Sequence, residues 1–423
     1  MKKAWLNAQL ASGPGGLLVE NGLVVAAGNA VTKDNVAGAQ MVDCRGRLLL
    51  PGLIDMRVFT GEPGSEYRET LSTASDAAAA GGVTTLIVMP NTDPVIDDAA
   101  MVDFILRRAR DTAKVHVAPM AAITKGIKGE HMTELGLMKA AGAVAATDGV
   151  KGVASSALLR RAMMYGKDHG MLIVQHVEDP ALASGVMNNS EMSARLGLAG
   201  SHAMAEVIML ERDLRLVEMT QAPYHAAQIS CAESVEVMRR AKAKGLPVTC
   251  GVSINHLVLN ENDIGAYRTF FKLSPPLRKE EDRRALVDGL RDGVIDVIVS
   301  GHDPQSDDTK RLPFAEAAHG AVGLDTLMAS IVSLYHNENI SLKRLIEASC
   351  EAPARILGLV QGQLTPGAPA DFSITDPDHS WNIEPEALYS RSKNSPFEHR
   401  TLEGRVMETV VSGQLVYSAA QPL

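Results

Sequence analysis

The chain has 423 residues, 46% of them hydrophobic and 22% charged, with a formal net charge of −9. That length and apolar share support a large buried core, one barrel-sized domain plus a smaller one. The acidic balance, with no dense Lys/Arg stretch to offset it, excludes a nucleic-acid footprint of the usual kind.

The first fifty residues carry short β-like runs over 16–25 and 40–50, punctuated by Gly-Pro-Gly-Gly and Asn-Gly turns that favour hairpins. The opening Met-Lys-Lys-Ala-Trp-Leu leads into Asn7 and Gln9, so no signal-peptide core forms, and no run reaches the length of a membrane span. From residue 51 the texture changes. Strand-like runs over 49–58, 83–89, 114–123, 143–147, 171–176, 225–230, 246–252 and 294–300 alternate with amphipathic helical stretches over 97–114, 156–169, 202–220, 231–245 and 279–293. That alternation predicts a parallel sheet, and eight repeats predict an α/β fold closed as a (β/α)8 TIM-type barrel, with an open doubly wound sheet as the rival. After residue 360 β runs return over 371–375, 405–411 and 414–417, the last two joined by Ser412-Gly413. Cys44, Cys231, Cys250 and Cys350 are scattered without Cys-x-x-Cys spacing, which reads as buried free thiols in a reducing compartment. A cytoplasmic protein without nucleic-acid or membrane partners is expected.

In a barrel of this kind reacting groups sit at the C-terminal strand ends, where the βα loops open. The first strand and its loop read Pro-Gly-Leu-Ile-Asp-Met-Arg-Val-Phe-Thr-Gly-Glu-Pro-Gly over 51–64. Further on stand Gly362-x-Leu364-x-Pro366-Gly367-x-x-Ala370-Asp371 and Ser390-Arg-Ser-Lys-Asn-Ser-Pro-Phe397. These segments resemble the amidohydrolase superfamily, and within it the type I dihydroorotase family. The resemblance spans nearly the whole chain. It implies a composite β-sandwich domain from residues 1–50 and 361–423, enclosing a barrel over 51–360.

In that family the first strand continues x-His-x-His-x-Arg-x-Pro-Gly, and alternation puts the two imidazoles on one face, where they can grip one ion. Here Arg57, Phe59 and Gly61 stand in the places of His, His and Arg. A cation about 4 Å from a dication costs on the order of 8 kcal/mol at an effective dielectric near 20. The sixth strand shows the same loss, because His-x-x-His-x-Ser has become His225-x-x-Gln228-x-Ser230. At the eighth, Ser/Thr-Asp-His has become Ser300-Gly301-His302, and the absent aspartate is the group that moves the proton in the family mechanism. Asp303 lies about 6–7 Å further along an extended strand.

What persists is a remnant. Asn91 matches an asparagine that contacts the substrate carboxylate in the family, and equally suits a turn asparagine bonding its own backbone. Asp148, His176 and His302 match single ligands, while His225 and His256 read as packing or loop-holding residues. Lys151 lies past its strand end and reads poorly as a carboxylated bridge. The resemblance is greatest to the noncatalytic dihydroorotase-like proteins that accompany aspartate transcarbamoylase, which implies a pseudoenzyme in pyrimidine biosynthesis. The expected role is a homo-oligomeric scaffold for aspartate transcarbamoylase catalytic subunits, with no catalytic residue, metal or cofactor. The alternative is an active zinc-dependent cyclic amidohydrolase that interconverts carbamoyl aspartate and dihydroorotate through a reduced site of Asp148, His176 and His302. Under the first reading Arg57 is expected to pair with Asp148 and replace the metal charge.

Overall fold

A computed structural model describes residues 2–420; Met1 and residues 421–423, the outer ends of the expected composite domain, lie outside the described residues. Runs such as Leu53–Val58 and Val83–Val88 are buried at every position, as parallel strands covered on both faces must be. Six further strands follow in chain order: His116–Pro119, Ala145–Ala146, Leu172–Gln175, Tyr224–Ala226, Val248–Ser253 and Val297–Val299. All the pairings between neighbours are parallel. Some of the helices between them begin on side-chain caps that their sequences supply. Asp98 accepts from Met101 N–H ahead of Ala99–Thr112, and Ser155 accepts from Leu158 N–H ahead of Ser156–Asp168.

Two contacts decide between barrel and open sheet. Ala121 bridges to Ala146, joining the first three strands to the remaining five, and at the other seam Phe59 N–H donates to the His302 carbonyl over 3.1 Å. The buried Asp55 carboxylate locks that seam, accepting from the backbone N–H of Ser300 at 3.3 Å and of Arg57 at 3.2 Å. The sheet is therefore closed, and the inside is filled by Ile54, Met56, Ile87, Met120, Val174 and Val297 among others.

Strands from both chain ends share one eight-stranded sheet. Its order runs Gln414–Ser418, Thr401–Val411, Phe372–Asn382, Leu48–Pro51, Lys2–Leu10, Gly13–Glu20, Leu23–Gly28, with Gln40–Asp43 also paired to Lys2–Leu10. The run expected over 16–25 is split, because Asn21 and Gly22 both take positive φ and turn the chain into a hairpin. Trp5 packs edge-on against Phe372 at 4.8 Å between centroids, so residues from opposite ends of the chain share one core. All four cysteines are free and buried. No helix among the described residues is long and apolar enough to cross a membrane.

Candidate functional site

The barrel mouth is formed by residues just past the strand ends. Arg57 is 4% exposed at the end of the first strand, its guanidinium 5.0 Å from the Phe59 ring centroid. Its Nε has no hydrogen-bond partner among the described residues, and no carboxylate lies within ion-pair distance of the side chain. Burial depresses its basicity, opposed by the fields of Asp303, Asp55 and Glu178. Asp148 is not among those partners, so the expected Arg57–Asp148 pair does not form. The reason is local: Thr124 N–H and Oγ1–H donate to the two Asp148 oxygens at 2.9 and 2.6 Å. Burial pushes the Asp148 carboxyl up, and these two donors only partly offset it.

The other remnants are also engaged. His176 Nε2 donates to Glu178 at 3.1 Å. Burial alone would raise Glu178, yet the His176 bond and the nearby Arg278 and His319 hold it below the usual carboxylate range. His302 Nδ1 accepts from Gly323 N–H at 3.3 Å, and its Nε2 faces Glu69 at 3.5 Å. Glu69 is fully buried and accepts from the Thr73 and Ser390 hydroxyls and, at 3.0 Å, from the Arg391 N–H. Glu69, beside His302, thus ties the 390–391 segment to the loop after the first strand.

Asp148 and His176 line one cavity of roughly 400 Å³ together with Glu178 and Lys151; His302 does not border it. No group of three or more His, Cys, Asp or Glu among the described residues converges to hold a metal ion. Asp148, His176 and His302, the alternative ligand set, form no such group, and each makes a contact with another part of the protein.

The replaced positions are built into their new roles. Gln228 donates to the Ser274 carbonyl at 2.8 Å, tying the sixth strand to the loop after the seventh. His256 holds the same loop, its Nε2 donating to the carbonyls of Pro275 and Pro276 at 3.1 and 3.3 Å. His225 bonds the Thr249 hydroxyl at 2.8 Å, and burial depresses its pKa to about 3. Gly301 has φ of +69°, and a Cβ there would stand 2.5 Å from Ser253 Oγ and 3.2 Å from Asn255 Nδ2. Gly61, also at φ +69°, would place a Cβ 2.6 Å from the Ser65 carbonyl oxygen. Neither backbone receives the family aspartate or arginine without moving. Asn91 reaches across the chain, its amide donating to the Asp148 carbonyl at 3.4 Å, so it is not a locally bonded turn asparagine.

Sequence reading missed Glu69, Thr124 and Glu178, the carboxylates and hydroxyl that occupy the remnant ligands. Glu178 was visible as a neighbour of His176, but Ser390 lies 321 residues from Glu69 and only the fold joins them.

An eight-stranded barrel with a terminal sheet and a mouth of this lineage defines a cyclic-amidohydrolase-type protein. Residues 46–234 match the Dihydro-orotase-like family. The chain is 42% identical over 402 residues to a dihydroorotase of Desulforapulum autotrophicum, covering 95% of this chain and 94% of the relative. A dihydroorotase of Citrifermentans bemidjiense is 41% identical, with 95% of each chain covered. Among solved structures, the L-hydantoinase (dihydropyrimidinase) of Arthrobacter aurescens superposes with a TM-score of 0.90 at 25% identity, over all of this chain and 98% of that one. The dihydropyrimidinase of Brevibacillus agri shares the fold at 22% identity with a TM-score of 0.85. The chain belongs to the dihydroorotase-like family.

Proposed function

We propose that this chain is a dihydroorotase-family protein of pyrimidine biosynthesis that does not hydrolyse amides and serves as a homo-oligomeric assembly subunit for aspartate transcarbamoylase catalytic subunits. The observation that carries the non-hydrolytic half is Arg57, a buried cation at the strand end where the family pattern has an imidazole ligand. A neutral-pH amide hydrolase of this type needs an activated water and a base beside it. Position 301 has no side chain for the base, and Gln228 is bonded away to Ser274. Without this donor set, metal of the family kind does not fit. The assembly half is supported by the likeness of this substitution pattern to noncatalytic homologues that join transcarbamoylase trimers.

The test is zinc content and dihydroorotate turnover on purified protein, together with size-exclusion chromatography after co-expression with transcarbamoylase catalytic subunits. Co-elution with no turnover is the expected result. A second reading, favoured by the names of the relatives above, is a cyclic-amide hydrolase with a reduced metal site. Near-stoichiometric zinc with turnover would decide for it.

A further inference from the structure

A cavity of roughly 550 Å³ lies on the outer flank of the barrel, where the helices Leu71–Ala80 and Leu327–Asn337 meet the strands Phe372–Asn382, Thr401–Val411 and Gln414–Ser418. It shares no lining residue with the cavity of Asp148 and His176. Its size, and its place between barrel helices and the terminal sheet, are those of small-molecule sites. The wall is aromatic in a chain that is only 4% aromatic: one of the two tryptophans, Trp381, and two of the seven tyrosines, Tyr389 and Tyr417, border it. The two tyrosine rings pack edge-on at 5.7 Å, and the Arg405 guanidinium lies 5.8 Å from the Trp381 ring centroid. Met328 and Val406 add apolar surface. Flat π faces of this kind favour a flat guest.

Two polar features narrow the choice of guest. The Trp381 indole Nε1 is buried and has no acceptor among the described residues, an uncommon state for a buried indole N–H. That group is a donor only, so its partner must be an acceptor. The charged residues bordering the cavity are Arg405, Asp325 and Glu386. Asp325 is buried and accepts from the Tyr389 N–H at 2.7 Å and the Ser390 N–H at 3.4 Å, while Glu403, next to Gly404 in the wall, pairs with His336 and not with Arg405. One cation against two carboxylates leaves no surplus positive charge for an anionic guest. We infer that this cavity binds a neutral, planar nitrogen heterocycle of nucleobase type, stacked on the aromatic wall and accepting a hydrogen bond from Trp381 Nε1. Binding here does not depend on whether the barrel mouth hydrolyses an amide.

Isothermal titration of the full chain with benzimidazole, indole, adenosine and adenosine monophosphate tests it. Benzimidazole and indole have the same fused-ring shape, but only benzimidazole carries an acceptor nitrogen in the ring plane. Benzimidazole is expected to bind about tenfold more tightly than indole, the worth of one hydrogen bond to a buried donor. Trp381→Phe keeps an aromatic face, removes the N–H and should make the two ligands bind alike. Adenosine should bind, and its monophosphate more weakly, by a margin that narrows as salt is added. Trp381 is half-buried near the end of its strand, and the benzimidazole-to-indole ratio of the unaltered chain is a readout that needs no variant. Failure of benzimidazole or adenosine to bind up to about 10 mM, equal affinity for benzimidazole and indole, a preference that survives Trp381→Phe, or tighter binding of the monophosphate than of adenosine overturns the inference.

Discussion

Asp55 and Arg57 sit two residues apart on one buried strand, and they have opposite fates. Asp55 accepts backbone N–H groups from two strands and seams the barrel, whereas Arg57 Nε has no hydrogen-bond partner among the described residues. The seam below the mouth is held by main-chain donors, which any sequence of the family presents. The mouth above it is held by side chains, which can be exchanged as long as their neighbours repack. Closure of the barrel and the make-up of its mouth are thus set by different kinds of contact.

The largest effect expected is on the side that holds the frame. Arg278 bonds Ser230 Oγ at 3.0 Å, Asn188 Oδ1 and the Ser201 carbonyl at 3.1 Å each, and lies 3.9 Å from Glu206. Glu206→Ala leaves that buried guanidinium without its acid and should cost about 3–5 kcal/mol in denaturant unfolding. Arg57→Met should act in the other direction, raising stability by about 1–4 kcal/mol, because it removes a buried charge with no ion pair and keeps similar volume. A loss of stability in that variant would mean that the fields of Asp303, Asp55 and Glu178 are worth more than the desolvation of Arg57.

Smaller effects sharpen the same contrast. Gly301→Asp, which restores the family residue, should destabilise by about 1–3 kcal/mol through the left-handed backbone and the contact with Ser253, and should leave dihydroorotate turnover absent. His225, with its pKa depressed to about 3, stays neutral in the native state. The unfolded chain takes up a proton below about pH 6.5, so this contribution is present above that pH and is lost as pH falls toward 3. His225→Gln should flatten the stability curve in that window by up to about 1.4 kcal/mol per pH unit relative to wild type. Gln228→Ala, which frees the Ser274 carbonyl, should cost about 1 kcal/mol in the same assay.

The frame was legible because its determinants are local or periodic. β-branched runs at regular spacing and the amphipathic stretches between them each specify their element from a few neighbouring residues, whereas the run expected over 16–25 hid the Asn21-Gly22 hairpin turn. The departures from the family pattern were equally legible, since arginine, phenylalanine and glutamine at positions 57, 59 and 228 need no structure to be seen. The new partners were not. An Arg57–Asp148 pair was the expectation for two residues of opposite charge at the mouth end of the first and fourth strands, and it failed because Thr124, on another loop, supplies both donors to Asp148.

Sequence alone thus determined the repeat, the lineage and which chemical groups are missing from the strand ends, because backbone propensity and residue identity are written along the chain. Only the tertiary structure decided which donor each surviving carboxylate and imidazole meets, and that Gly61 and Gly301 lie in left-handed conformations closed to larger residues. Those outcomes depend on distances between segments up to 321 residues apart, such as Glu69 and Ser390, and such distances exist only once the barrel has closed.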